Sequence, residues 1–160
     1  MMHLDPKILR RTRITPTGVI HTVLPDTELA DFRDWVRRTL PVSIVAQGAA
    51  ITGFAFALYR PAADGLIDVE LGFPIDRRVP SDDYFTVGLL PTGHVAQAVH
   101  TGTPADLAQA WKALRQWMDG RRLEPAALRW ETYLDAPTIA GGSGVRRTEL
   151  AWPIEPVAVD

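Results

Sequence analysis

The run Val69-Glu70-Leu71-Gly72-Phe73-Pro74-Ile75 returns as Thr148-Glu149-Leu150-Ala151-Trp152-Pro153-Ile154, 79 places later. At the same offset of 79, His21-Thr22 with Pro25 returns as His100-Thr101 with Pro104. Pro16-Thr17-Gly18 is echoed by Pro91-Thr92-Gly93 at an offset of 75, and Tyr59 by Tyr133 at 74. Echoes that keep one order along the chain mark an internal repeat, and a unit of this size buries its apolar face only against its copy or another layer. Two strand, helix, strand, strand units are therefore expected, over about 7–76 and about 84–155. They should pair about a pseudo-twofold axis. With 160 residues, 46% of them hydrophobic, the length supports one well-buried core, so 1–160 reads as a single domain.

Local signals fill in the units. Residues 7–14 and 17–24 read as two β segments broken at Pro16. A helix should begin near Asp26 and bury Leu29, Phe32, Val36 and Leu40, with Pro41 interrupting it and 42–47 forming a kinked or second helical piece. Phe54 to Tyr59 and Ile67 to Ile75 alternate as the two arms of a hairpin. In the second half, Tyr84 to Leu90 and Gly93 to His100 are expected to pair around Pro91-Thr92. Thr103 caps and Pro104 opens the clearest helix, whose stripe is Leu107, Ala110, Trp111, Leu114, Trp117 and Met118, ending at Gly120. A strand through Glu131, a glycine-rich connector at 141–144 and a last strand from Arg146 to Ile154 complete it.

Composition excludes several classes of function. The 17 Lys and Arg are scattered in pairs and the net charge is −2, which is not a nucleic-acid footprint. The chain has no cysteine, so disulfides, thiolate zinc sites and a cysteine nucleophile are out. His3, His21, His94 and His100 have no ligand spacing, and the repeat makes His21 and His100 equivalent, as structural residues would be. No cofactor is expected. No run approaches the roughly 18 apolar residues of a membrane span and the first residues carry no signal core, so a cytoplasmic location is expected.

What stands out chemically is Arg129-Trp130-Glu131-Thr132-Tyr133-Leu134. On a strand, Arg129, Glu131 and Tyr133 share one face while Trp130 and Thr132 share the other. A carboxylate beside a phenol can bind a cation, accept a hydrogen bond or take a proton; taken alone, the pair is also what an exposed strand face meeting water would show. The repeat separates these readings. At the offset that aligns Tyr59 with Tyr133, Glu131 corresponds to Ala57, so only the second copy carries the carboxylate. Tyr59 then occupies the Glu131-type face, and Tyr84, at the start of a strand, is a further candidate wall.

Leu90-Pro91-Thr92-Gly93, His100-Thr101-Gly102, the helix ending at Trp117, Trp130-Glu131-Thr132-Tyr133 and the run Thr148 to Ile154 together resemble the GyrI-like family, the effector-binding domain of AraC- and MerR-type transcription regulators. The resemblance covers nearly the whole chain and is strongest from Thr86 to Ile154. It implies an α+β fold in which two β-α-β-β (SHS2-type) units form one curved antiparallel sheet, with helices on one side and a ligand cleft at the pseudo-twofold junction. It also implies that Glu131 counters the charge of a lipophilic, aromatic, cationic ligand, with Tyr133 beside it and Tyr59, Tyr84 and Trp130 as candidate walls. Two departures stand out: Thr103-Pro104 replaces an aromatic often found after the His-Xaa-Gly segment, and Pro41 lies within the first helix.

Three functions follow from this. The first is a stand-alone binding module for drug-like or toxic small molecules, used for sensing or sequestration. The second is a hydrolase, as in relatives that open cyclopropane-bearing electrophiles, with Glu131 as base and Tyr133 as donor. The third, implied by the family name alone, is a gyrase-inhibitor-like protein-binding modulator.

Overall fold

The computed structural model describes residues 4–135 and 145–155; the expected connector at 141–144 lies outside them. Along the chain run β1 (Lys7–Arg11), β2 (Thr15–Pro25), α1 (Leu29–Ala46), β3 (Phe56–Arg60), β4 (Leu66–Pro74), β5 (Thr86–Leu90), β6 (Gly93–Gly102), α2 (Leu107–Gly120), β7 (Arg129–Tyr133) and β8 (Arg146–Pro153). Each helix is entered through a short 3-10 turn, Asp26–Glu28 or Pro104–Asp106. The chain divides into two compact units, one of Arg13–Thr92 and one of Met1–Thr12 with Gly93–Asp160. Each is α+β, an antiparallel sheet with one helix against it. No helix among the described residues is long and apolar enough to cross a membrane.

In the unit of Arg13–Thr92 the strand order is β3-β4-β2-β5. β2 and β4 run together over a long register, from Thr17 opposite Pro74 to Pro25 opposite Leu66. Pro16 does not break β2. It lies within the strand opposite Leu89, and its carbonyl accepts from the Ile75 N–H at 2.9 Å, so a residue lacking a donor serves the ladder as an acceptor. α1 continues through Pro41 as one helix, because Val36, Leu40 and Ile44 are buried on both sides of it. Packing of that stripe offsets the roughly 3 kcal/mol that an internal proline costs.

In the other unit the order is β1-β6-β8-β7. β5 does not pair with β6. It lies on β2, with Thr17 opposite Gly88, while β6 takes β1, with Leu9 opposite Val95. The leading strand of each sequence repeat thus completes the sheet built by the other repeat. α2 is held at its start as its sequence predicts: Thr103 and Asp106 form a reciprocal capping box, with Oγ1 of Thr103 donating to Oδ2 of Asp106 at 3.0 Å, and Pro104 follows the cap. It ends at Gly120, as expected, and the cap follows two residues later. Arg122 adopts φ of 56°, and the Leu123 N–H reaches back to the Met118 carbonyl at 3.0 Å, a left-handed cap that glycine usually fills. Ala110, Trp111, Leu114 and Met118 of α2 pack on Ala96, Ala98, Leu150 and Trp152 of the sheet.

The repeat is not kept in register at every strand. Glu70 of β4 faces His21, but its counterpart Glu149 of β8 faces Val99, and His100 faces Thr148. The two histidines are one residue out of step, and in a strand one residue is the difference between faces. His21 is exposed, its Nε2 at 2.6 Å from Oδ1 of Asp68. His100 is buried. The equivalence read from the sequence holds for the motif and fails for the side chains.

Candidate functional site

β7 is short, Arg-Trp-Glu-Thr-Tyr, and its strand state rests on antiparallel pairing with β8: Trp130 opposite Ala151, Glu131 opposite Leu150, Thr132 opposite Glu149, Tyr133 opposite Thr148. Residues directly opposite share a face. Leu150 belongs to the core under α2, so Glu131 points to the helix-bearing side of its sheet. Glu131 is 2% exposed. Tyr133, Thr148 and His100 form the next row on that face, and Thr148 and His100 are buried as well.

Arg129 occupies the same face. Its guanidinium lies over the rings of both Trp111 of α2 and Trp152 of β8, at 4.9 Å and 5.0 Å from their centroids. The two indoles meet edge to face at 5.6 Å. Trp152 is fixed further by its Nε1–H, which donates to the Ala126 carbonyl at 2.9 Å, and Arg115 stacks on it at 5.8 Å. In the sequence Trp111 stands in the apolar stripe of α2 and Trp152 in the repeated run at 148–154. The signal that could have joined them to the site was the shared parity of Arg129 and Glu131.

Trp130, a candidate wall, is buried and lies on the sheet face opposite Glu131 and Tyr133. There Arg11 stacks on it at 5.3 Å. Burial lowers the basicity of that guanidinium, and the nearby Glu149 carboxylate raises it in opposition. Trp130 therefore does not join Glu131 in one wall.

In the other unit, Tyr59 pairs with Val69 and Ala57 with Leu71. That face carries α1, since a Cβ on Gly18, which is opposite Phe73, would meet Ile44 of the helix at 2.9 Å. Ala57 and Tyr59 thus occupy in their unit the positions that Glu131 and Tyr133 occupy in theirs, and Ala57 is buried. Arg60 pairs with Glu70. Tyr84 is corrected by the structure: it precedes β5 and is 68% exposed, in a turn where Oδ1 of Asp82 accepts from the N–H groups of Tyr84 and Phe85 at 2.8 Å and 2.9 Å. Phe85 is buried instead.

The arrangement gathers a buried carboxylate, a phenol, a stacked guanidinium and two indoles on one helix-covered face. Such a face can hold a planar apolar body and place charge opposite it. Comparison with known proteins gives the family and the fold. The sequence model of the GyrI-like small molecule binding domain matches residues 43–155. The fold superposes on the EcmrR C-terminal domain with a TM-score of 0.79 and 18% identity, over 98% of this chain and 99% of that one. Against EcmrR in its complex with DNA, the chain spans 58% of the length of its relative. SAV2435 bound to tetraphenylphosphonium matches with a TM-score of 0.64 and 13% identity, over 96% of this chain and 94% of that one. A hydrolase from Listeria innocua matches with a TM-score of 0.62 and 11% identity, over 94% and 92%. No curated protein matches by sequence.

Proposed function

The chain belongs to the GyrI-like small-molecule-binding domain family, and from that premise we propose that it binds lipophilic, aromatic, cationic compounds through the helix-bearing face around Glu131, in drug or toxin sensing or sequestration. The observation that carries this is the burial of Glu131 at 2% exposure on a face that also holds Tyr133, Trp111 and Trp152. A carboxylate on a water-poor face walled by aromatic groups attracts a cation more strongly than the same carboxylate in water. Indole and phenol rings add cation–π attraction and flat apolar area. The relative bound to tetraphenylphosphonium supports the choice of ligand class.

The test is the apparent melting temperature of wild type and Glu131→Gln against tetraphenylphosphonium and a panel of aromatic cations. Ligand at about 100 times its Kd should add roughly 2.7 kcal/mol of apparent stability. Loss of the Glu131 charge should weaken cation binding by at least about tenfold, equivalent to 1.4 kcal/mol. Equal stabilisation of both proteins would refute the assignment.

A second reading, hydrolysis of cyclopropane-bearing electrophiles, is favoured by the shared face of Glu131 and Tyr133 and by the hydrolase among the structural relatives. Glu131 would activate water and the Tyr133 hydroxyl would donate to the developing oxyanion. Recovery of every compound unchanged after incubation would eliminate it. A ring-opened product formed by wild type and not by Glu131→Gln would establish it.

A further inference from the structure

β1 is an outer strand of its sheet: among the described residues it pairs with β6 alone, from Lys7 opposite Gln97 to Arg11 opposite Gly93. An outer strand turns one row of N–H and C=O groups away from its sheet, and an extended chain can hydrogen-bond to that row. In the other unit the outer strand β5 has part of this row closed by its own loop, because the Ser81 hydroxyl accepts from the Val87 N–H at 3.3 Å. Lys7 to Arg10 have no such cover among the described residues. The side chains decide what fits there. Lys7 and Leu9 leave one face of the strand, Ile8 and Arg10 the other. Ile8 is 46% exposed and Leu9 37%, and Lys7 and Arg10 are exposed as well. Arg11 is turned over Trp130 and takes no part. The edge thus reads cation, apolar, apolar, cation, with one apolar residue on each face.

We propose that β1 docks an extended acidic segment of a partner protein, which adds to the sheet as an antiparallel strand. Opposite Arg10, Leu9, Ile8 and Lys7 that segment reads acid, apolar, apolar, acid. Residues directly opposite share a face, so each carboxylate meets one cation and each apolar side chain lies against Leu9 or Ile8. Charge complementarity selects this occupant over a second copy of the chain. Cations on an outer strand repel the same strand of another copy, and the same cations attract carboxylates. Main-chain bonds give the segment its register, while the two exposed charge pairs together contribute about twofold to thirtyfold in affinity. The inference stands apart from the ligand reading and uses none of its residues.

The experiment measures fluorescence anisotropy of the labelled peptide Thr-Glu-Val-Val-Glu-Thr with the full chain, against Thr-Lys-Val-Val-Lys-Thr. Two further forms of the acidic peptide carry N-methyl groups at odd or at even positions. The acidic peptide should bind and the lysine peptide should be at least about tenfold weaker. One set of N-methyl groups should abolish binding and the other should leave it, because alternate N–H groups of a strand face its neighbour. The double variant Lys7→Gln with Arg10→Gln should weaken the acidic peptide by about twofold to thirtyfold. Hydrogen exchange on wild type needs no variant: the acidic peptide should slow alternate amides of Lys7–Arg11 and leave those of β5 unchanged. Equal binding of both peptides, equal effects of the two N-methyl sets, or protection elsewhere would overturn the proposal. So would failure of the acidic peptide to bind at about 1 mM. A dimer whose β1 amides are protected before any peptide is added would make the occupant a second copy and overturn it as well.

Discussion

Replacing Gly72 with alanine should damage the unit of Arg13–Thr92 far more than so small a change suggests. A Cβ at Gly72 would lie 2.1 Å from the Gly18 carbonyl oxygen and 2.7 Å from Cγ1 and 2.9 Å from Cα of Val19. Two of these atoms are backbone, so no rotamer change relieves the contact; β2 and β4 must move apart by about 1 Å across a ladder that runs from Thr17 to Pro25. Overpacking of a rigid site costs about 1–3 kcal/mol and a displaced ladder puts this at the upper end, so about 3 kcal/mol is expected. For a chain of this size that is a fall in Tm of roughly 6–12 °C. Urea denaturation is the assay, with an unchanged m-value showing that the same cooperative unit unfolds. The control is Ala151→Gly, the reciprocal change in the other copy, which should cost only about 0.5–1 kcal/mol. A Gly72→Ala protein that loses less than about 1 kcal/mol would refute the reasoning, because it would mean that the two strands separate freely.

Arg122→Gly should stabilise, since a left-handed φ of 56° burdens arginine by about 1–2 kcal/mol while glycine loses only part of that in chain entropy. A net gain of about 0.5–1 kcal/mol, or a few degrees in Tm, is expected, and a loss would show that the Arg121–Arg122 turn is held by something other than backbone geometry. Asp135 accepts from the side chain and then the backbone N–H of Arg147, which holds its carboxyl below the usual carboxylate range. A depressed folded pKa adds stability that is complete above the ordinary carboxylate pKa, near 4, and is lost as pH falls through the folded value. Asp135→Asn should therefore flatten the acid side of the stability profile, and parallel melting curves for both proteins from pH 5 to pH 2 would contradict this.

Much of the architecture was legible because local chemistry and global pairing agree. Thr103 and Pro104 announce α2 and its capping box does form, while the period-two alternation of 129–133 places Glu131 with Tyr133 and against Trp130. The two heptads starting at Val69 and Thr148 are both strands, each with its glutamate on the sheet face away from its own helix. What the sequence hides is register and partner choice. Nothing in His21 and His100 reveals a one-residue slip, because identical neighbours fit either face until the opposing strand is known. Tyr84 and Phe85 are adjacent and equally apolar to the eye, and only the fold shows that Phe85 is the buried one. Arg129 is stacked on rings contributed by α2 and β8, a contact that only tertiary structure creates.

The exchange of leading strands has a consequence for how such a chain could have arisen. β1 finds its ladder in β6 and β5 finds its ladder in β2, with Lys7 opposite Gln97 and Thr15 opposite Leu90. A primitive chain of one repeat would have had a first strand with no place in its own sheet and a sheet with a vacant edge. Two copies trading those strands satisfy both, which is domain swapping at its lowest cost. Gene fusion would then have made the trade permanent, and only after fusion could one copy gain a carboxylate at the position of Glu131 while the other kept Ala57. Different residues at equivalent positions are what two fused copies permit and two identical chains forbid.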